Sequence, residues 1–155
     1  MFESRPPSHR KEIVTEIKLV TVDSPNGEIL RERAEEVSNI ETQVLPFYEA
    51  AVKIMKENNG IGLAAPQIGV PYQWFIDRFR RLYINPVILK GKQIAEFSEG
   101  CLSLPGHTHQ TARHKIVMVE YTEENGNRIT KSFTNMIAVI VQHEYDHLQG
   151  RLIDV

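Results

Sequence analysis

Apolar side chains recur at helical spacing at Ile40, Val44, Tyr48, Val52 and Met55, and the pattern stops at Asn58-Asn59-Gly60. That spacing predicts an amphipathic helix with a clear C-terminal stop. Pro46 lies inside the pattern. Proline lacks an N–H and its ring crowds the preceding turn, so the helix either begins near Leu45 or is kinked there. A second stripe, Met136, Val139, Ile140, His143 and His147, predicts a helix from about Asn135 to Leu148 that ends at Gly150. This stripe reads mostly as core packing, with its last turn directed at a functional site. Between the helices, residues 74–76, 82–84 (ahead of Asn85-Pro86), 116–121 and 129–133 have the β-branched and aromatic composition of strands. Residues 123–127, rich in Asn and Gly, read as the turn of a hairpin joining the last two. Residues 14–20 alternate weakly and read as a strand or extended lead-in, followed by a turn at Pro25-Asn26-Gly27. The elements assemble as an α+β fold, with mixed or antiparallel strands around a central C-terminal helix.

No repeat and no linker divides the chain, and 155 residues suit one domain with one sizeable core. Residues 1–12 are polar and proline-containing and read as a disordered arm ahead of a single domain over 13–155. The alternative, an organelle transit peptide, would be very short, and Glu3 counts against it. A net charge of -2 gives no electrostatic case for nucleic-acid binding, and the cluster Arg78, Arg80 and Arg81 reads as a solvated loop. No apolar run approaches the ~20 residues that span a membrane, and the N-terminus has no secretory apolar core. The single cysteine excludes an internal disulfide and points to a reducing compartment.

The chemistry concentrates in three short stretches. In His143-Glu144-Tyr145-Asp146-His147 two imidazoles lie one helical turn apart, where both can reach one metal ion, with Glu144 placed to touch a water on that metal. The competing reading is a charged, solvated helix end. A catalytic metal needs a third protein ligand, and the chain stops at Val155, so that ligand lies upstream. Cys101 stands out, in Glu99-Gly100-Cys101-Leu102-Ser103, a stretch with little helical or strand character. A thiolate ligand, a nucleophile activated by histidine and an inert buried thiol are all open to it. Gly100 would let the backbone bend close to a metal. The third stretch, from Gly60 to Gly69, lacks the features of a phosphate loop. Its small residues allow a backbone to approach a ligand, and Gln67 offers a neutral donor to a developing oxyanion, unless the segment is merely a connection with Gln67 in solvent.

Taken in order, GIGLAAPQ (Gly60 to Gln67), EGCLS (Glu99 to Ser103) and QHEYDH (Gln142 to His147) closely resemble the three motifs of peptide deformylases. These metallohydrolases remove the formyl group from N-formylmethionyl nascent chains. The resemblance covers roughly residues 15 to 155 and implies an α+β fold around a central metal-binding helix. It implies Cys101, His143 and His147 as metal ligands and Glu144 as general acid and base. Gln67 and the backbone N–H of Leu102 would stabilise the oxyanion, and Gly62 would hold the peptide. We place Ile61, Phe97, Gly100, Met136, Val139 and Ile140 around the substrate, with the methionine side chain among the apolar members of that set. Glu99 and Gln142 are expected to position ligands, and Arg113 to pair with either Asp146 or Glu99. Zinc is the default from the ligand set. The resemblance implies ferrous iron as the physiological ion, with zinc recovered after aerobic purification and nickel or cobalt also accepted.

Two departures from the family pattern stand out. His107-Thr108-His109-Gln110 replaces the stretch where members often carry an arginine near the substrate methionine. The chain also ends eight residues after His147, where many bacterial members continue into a helix implicated in ribosome docking; a short form such as a virus-encoded enzyme fits that ending. Expected partners are N-formylmethionyl peptides and nascent chains at the ribosome, in the cytoplasm of a bacterium or of an infected host cell. A metallopeptidase of other specificity would need a different third ligand. An inactive binding protein on the same fold would have lost a ligand or the glutamate, and none is missing.

Overall fold

The computed structural model describes residues 17–154. Five antiparallel strands form one sheet in sequence order: β1 (Gly62–Ala64), β2 (Trp74–Asp77), β3 (Leu82–Cys101), β4 (Leu104–Thr122) and β5 (Arg128–Thr134). Helices α1 (Ile40–Gln43) and α2 (Leu45–Glu57) precede the sheet, and α3 (Asn135–Leu148) follows it. Both faces of the short strands are covered. Leu63, Trp74, Ile76, Leu82 and Ile84 join Val52 and Met55 of α2 in one core. Ala64, Phe75 and Tyr83 turn to the other face and join Ala138, Val141 and Leu148 of α3. Successive strand residues point to opposite faces, so a strand between two helical layers is buried at every position, as all of β2 is.

Pro46 does break the first helical pattern. The break falls at Val44 (φ -125, ψ -62), and α2 restarts with Pro46 in its first turn, where no N–H is needed. The final helix has the expected span, and Gly150 (φ +76) closes it where a Cβ would meet the backbone of Arg31 at 2.8 Å. The turn at Glu123 is also as expected, with Glu123 N–H donating to Asn127 O at 2.8 Å. The strand expected at 14–20 begins outside the described residues, as do the arm at 1–12 and Val155. Its described part, 17–20, is a lead-in whose Val20 N–H donates to Gln67 O at 2.7 Å.

The largest correction concerns β3 and β4. Sequence composition stops the first at Ile84 and starts the second at Ile116, yet together they form a ribbon of 20- and 19-residue strands. Strand β3 passes Pro86 through a register shift between Ile84 and Val87, with Asn85 at φ +49. The Asn85 side chain bonds both the N–H and the carbonyl of Val37, at 2.8 and 2.9 Å. A bulge is where a sheet tolerates the missing proline donor.

Candidate metal centre

The far end of the ribbon brings Cys101, the last residue of β3, against the last turns of α3. The ligand atoms of Cys101, His143 and His147 all lie within 4.8 Å of one another, with Cys101 Sγ 3.3 Å from His147 Nε2. Tetrahedral bonds of about 2.0–2.3 Å place ligand atoms roughly 3.3–3.7 Å apart, so the set needs little adjustment to enclose an ion. Glu99 Oε1 lies 2.9 Å from His143 Nδ1, which leaves His143 Nε2 as the nitrogen that could ligate. Burial, followed by the positive charges of His143 and Arg113, holds the His147 pKa well below its ordinary value. His147 is therefore neutral, the form that ligates. Its Nδ1 has no hydrogen-bond partner among the described residues, so burial and packing orient this ring. Two imidazoles and a thiol at this spacing fit one divalent ion with a coordination position left for water or substrate.

The surrounding charges are tightly organised. Arg113, on β4, donates from Nε and one terminal nitrogen to both oxygens of Glu99 at 2.8 and 2.9 Å, and from the other to Asp146 of α3 at 2.7 Å. The choice expected between Glu99 and Asp146 is thus no choice, because the planar guanidinium serves both. Thr111 Oγ1 also donates to Glu99, at 2.5 Å. Burial pulls the Glu99 pKa up, but the hydrogen bonds from His143, Arg113 and Thr111 outweigh it and bring it down to about 2. Gln142 differs from expectation. Its side chain bonds the N–H and carbonyl of His114 at 2.9 and 2.7 Å, so it pins α3 to β4 rather than a ligand side chain.

Glu144 is buried beside the ligands, and its Oε1 has no partner among the described residues. Burial pushes its pKa up to about 7, against the partial relief given by His143 and Arg113. Gly62 makes room for it: a Cβ there would fall 2.7 Å from Glu144 Oε2 and 2.9 Å from Ile140 Cγ2. Gln67 is buried too. Its Oε1 accepts from Ala64 N–H at 2.9 Å, and its Nε2 faces Cys101 Sγ at 3.8 Å. The solvent-pointing alternative for this residue is therefore excluded.

A cavity of about 780 Å³ opens over the cluster. Every residue expected around the substrate lines it: Ile61, Gly62, Phe97, Gly100, Met136, Val139 and Ile140. So do Gln67, Leu102, Cys101, His143 and Glu144, while His147 lies buried behind them. The α3 stripe is packed as expected at Val139, Ile140 and His147, which are buried, but Val139 and Ile140 also face the cavity, so core and wall share these residues. Met136 is 53 % exposed, and the helix also meets its core through Ala138, Val141 and Leu148. Two further corrections concern the EGCLS stretch. Glu99 to Cys101 are strand, not loop, and Gly100 needs no special conformation, since a Cβ there would make only a 3.6 Å contact with His107 O. His107, in the stretch that replaces the expected arginine, lines the same cavity. Sequence reasoning missed Lys115 and Asn135 in the cavity wall and Thr111 behind Glu99. Thr111 carries no motif, and only the pairing of Phe97 with Thr111 across the ribbon brings it there.

Comparison with known proteins agrees with this geometry. The sequence model of polypeptide deformylase matches residues 17–154. A peptide deformylase of Pseudothermotoga lettingae is 41% identical over 129 residues, covering 80% of this chain and 74% of that protein. The crystal structure of peptide deformylase from Thermotoga maritima superposes with a TM-score of 0.82 at 30% identity, over 89% of this chain and 95% of that one. That of a peptide deformylase from Synechococcus elongatus in complex with actinonin gives 0.81 at 33% identity, over 88% and 76%. The chain belongs to the polypeptide deformylase family, metal-dependent hydrolases that take the formyl group from N-formylmethionyl peptides.

Proposed function

We propose that Cys101, His143 and His147 hold one divalent ion and that Glu144 moves the proton as this chain hydrolyses the formyl group of N-formylmethionyl peptides. The observation that carries the reading is the cluster of Cys101, His143 and His147 at the cavity, with a buried carboxylate beside it whose Oε1 has no partner among the described residues. Bound there, the ion supplies Lewis acidity, polarising the formyl carbonyl and acidifying water. Glu144 takes a proton from the water that adds to the formyl carbon. It returns that proton to the amine nitrogen as the C–N bond breaks, so that formate and a free N-terminal amine leave. A carboxyl group with a raised pKa suits both halves of that transfer. Gln67 Nε2 and the backbone N–H of Leu102 donate to the developing oxyanion. Gly62 binds the peptide through its backbone, and Gly100 lines the same cavity. Ile61, Phe97, Met136, Val139 and Ile140 enclose the methionine side chain.

Ferrous iron is the physiological ion in this reading, and zinc, nickel or cobalt occupy the same ligands in purified protein. The substrates are nascent chains at the ribosome, met in the cytoplasm of a bacterium or of an infected host cell. No helix among the described residues is long and apolar enough to cross a membrane. The test is formate release from formyl-Met-Ala under anaerobic conditions, with metal analysis of the same sample. Stoichiometric metal with turnover is expected, and a Glu144→Gln protein that keeps its metal should lose roughly 10²–10⁴-fold in kcat. Absence of formate from metal-loaded protein, or near-normal turnover by the variant, overturns the assignment.

A further inference from the structure

We propose that Ser103 is a positioning residue for deformylation, holding the amide of Gln67 in the one orientation that turns an N–H toward the metal side of the cavity. The inference rests on the oxyanion role proposed for Gln67. Both side chains are buried. The Ser103 hydroxyl lies 2.6 Å from the Val20 carbonyl oxygen, which can only accept, so its single hydrogen is committed there. What the hydroxyl offers Gln67, 3.2 Å away, is a lone pair, and the facing atom of the amide must be the nitrogen. The opposite side of the amide meets Ala64 N–H at 2.9 Å, which can only donate and so requires the oxygen. The two constraints agree. A flipped amide would set N–H against N–H at Ala64, and its oxygen would draw the Ser103 hydrogen away from Val20.

With one N–H of Gln67 spent on Ser103, the other is directed to the metal side of the cavity, where it makes a long hydrogen bond to Cys101 Sγ, 3.8 Å from Nε2. The anchor at the far end is the lead-in segment. Val20 N–H donates to Gln67 O at 2.7 Å, and Val22 N–H donates to Ser103 O at 3.0 Å. Residues 20–22, which belong to none of the three motifs, therefore bridge the backbones of two of them. A donor fixed before the reaction loses no reorganisation energy as charge develops on the substrate oxygen. Removing Ser103 leaves the donor in place but held only through Ala64 N–H, so the loss falls on the transition state rather than on substrate binding.

The test is a double-mutant cycle on the metal-loaded enzyme, read as kcat and KM for formyl-Met-Ala, with metal content and thermal midpoint measured on each variant. Gln67→Ala should lose roughly 10²–10³-fold in kcat. Ser103→Ala should lose about 10–100-fold with KM almost unchanged, and Ser103→Thr, which keeps the hydroxyl, should recover most of it. In the Gln67→Ala background, Ser103→Ala should cost less than about twofold more. An equal loss in both backgrounds overturns the positioning role and leaves Ser103 a packing residue. Undiminished turnover in Gln67→Ala overturns the role of Gln67 itself. Should Ser103→Ala fail to fold, NMR of the wild-type protein decides. The side-chain amide protons of Gln67 should be non-equivalent and slow to exchange, with one in contact with the Ser103 β-protons; rapid exchange or no such contact overturns the proposal.

Discussion

Glu144 should be a liability to the metal-free protein, and replacing it should stabilise the fold in a pH-dependent way. Its carboxyl is buried, with Oε1 unpartnered among the described residues, and its pKa is raised from 4.5 to about 7. The folded chain therefore prefers the protonated acid, whereas the unfolded chain ionises freely above 4.5. The burden is absent below that value, grows as pH rises, and is complete once pH passes about 7. A rise from 4.5 to about 7 corresponds to roughly 3 kcal/mol at about 1.4 kcal/mol per pH unit. Glu144→Gln keeps the shape and removes the ionisation. Any cost of burying the new amide does not change with pH, so the slope rather than the absolute difference carries the result. Chelator-treated wild type and Glu144→Gln should be unfolded with urea or heat at steps between pH 4.5 and 8.5, under reducing conditions. The variant should gain about 3 kcal/mol on the wild type across that range, equivalent to about 6–12 °C in a chain of this size. Parallel stability curves from pH 4.5 to 8.5 would refute the reasoning, because an ionised Glu144 would then cost the fold nothing.

Three further outcomes follow from the same geometry. Arg113→Met strips the buried Glu99 of its bidentate partner and should destabilise the protein by about 3–5 kcal/mol while speeding metal loss to a chelator; unchanged urea midpoints would contradict this. Gly62→Ala would set a Cβ 2.7 Å from Glu144 Oε2 and 2.9 Å from Ile140 Cγ2, so both side chains must shift, and it should lower kcat by about 10²-fold or more as that carboxylate is displaced; wild-type turnover would show that Glu144 has latitude. Iron-loaded protein prepared anaerobically should turn over faster than the zinc form and lose that advantage in air, through oxidation of the metal or of Cys101, while nickel or cobalt forms survive. Equal, air-stable turnover per metal in all forms would remove iron from the proposal.

The helices and the short strands could be read from the chain because each buries one regular stripe or both of its faces. The ribbon could not. From Val87 onward β3 is largely exposed, with a buried position reappearing only near its end at Glu99; its one alternating stretch, Ala95-Glu96-Phe97-Ser98, is short, and Pro86 and Lys90-Gly91-Lys92 look like loop. What holds it is pairing to β4, a non-local property that a one-dimensional pattern does not carry. The same limit applied at the site. His143, Glu144 and His147 were legible together because a helix repeats within a few residues, and Cys101 because it is the sole cysteine. Thr111 and Lys115 reach the site across the ribbon, and nothing local marks them.

The register of that ribbon also ties its shape to its chemistry. Glu99 and Cys101 are two apart on a strand and so share a face, just as His143 and His147 are four apart on a helix and share theirs. A strand end laid against a helix end is one arrangement in which both pairs meet, and it places Glu99 where it can hold His143 while Cys101 faces the same ion site. Because the side-chain period is two, a slip of one residue would turn Glu99 and Cys101 to the other face and present Gly100, which has no side chain to offer. The pairing is pinned against such a slip at both ends of the ribbon. At one end the Asn85 side chain grips Val37 where the strand shifts register. Near the tip, Arg113 and Thr111 of β4 bind Glu99 of β3 from two cross-strand positions. The buried charges there thus set the register as well as orienting the His143 ring. Loss of Arg113 should accordingly be felt in metal affinity and in the stability of the ribbon together, rather than in either alone.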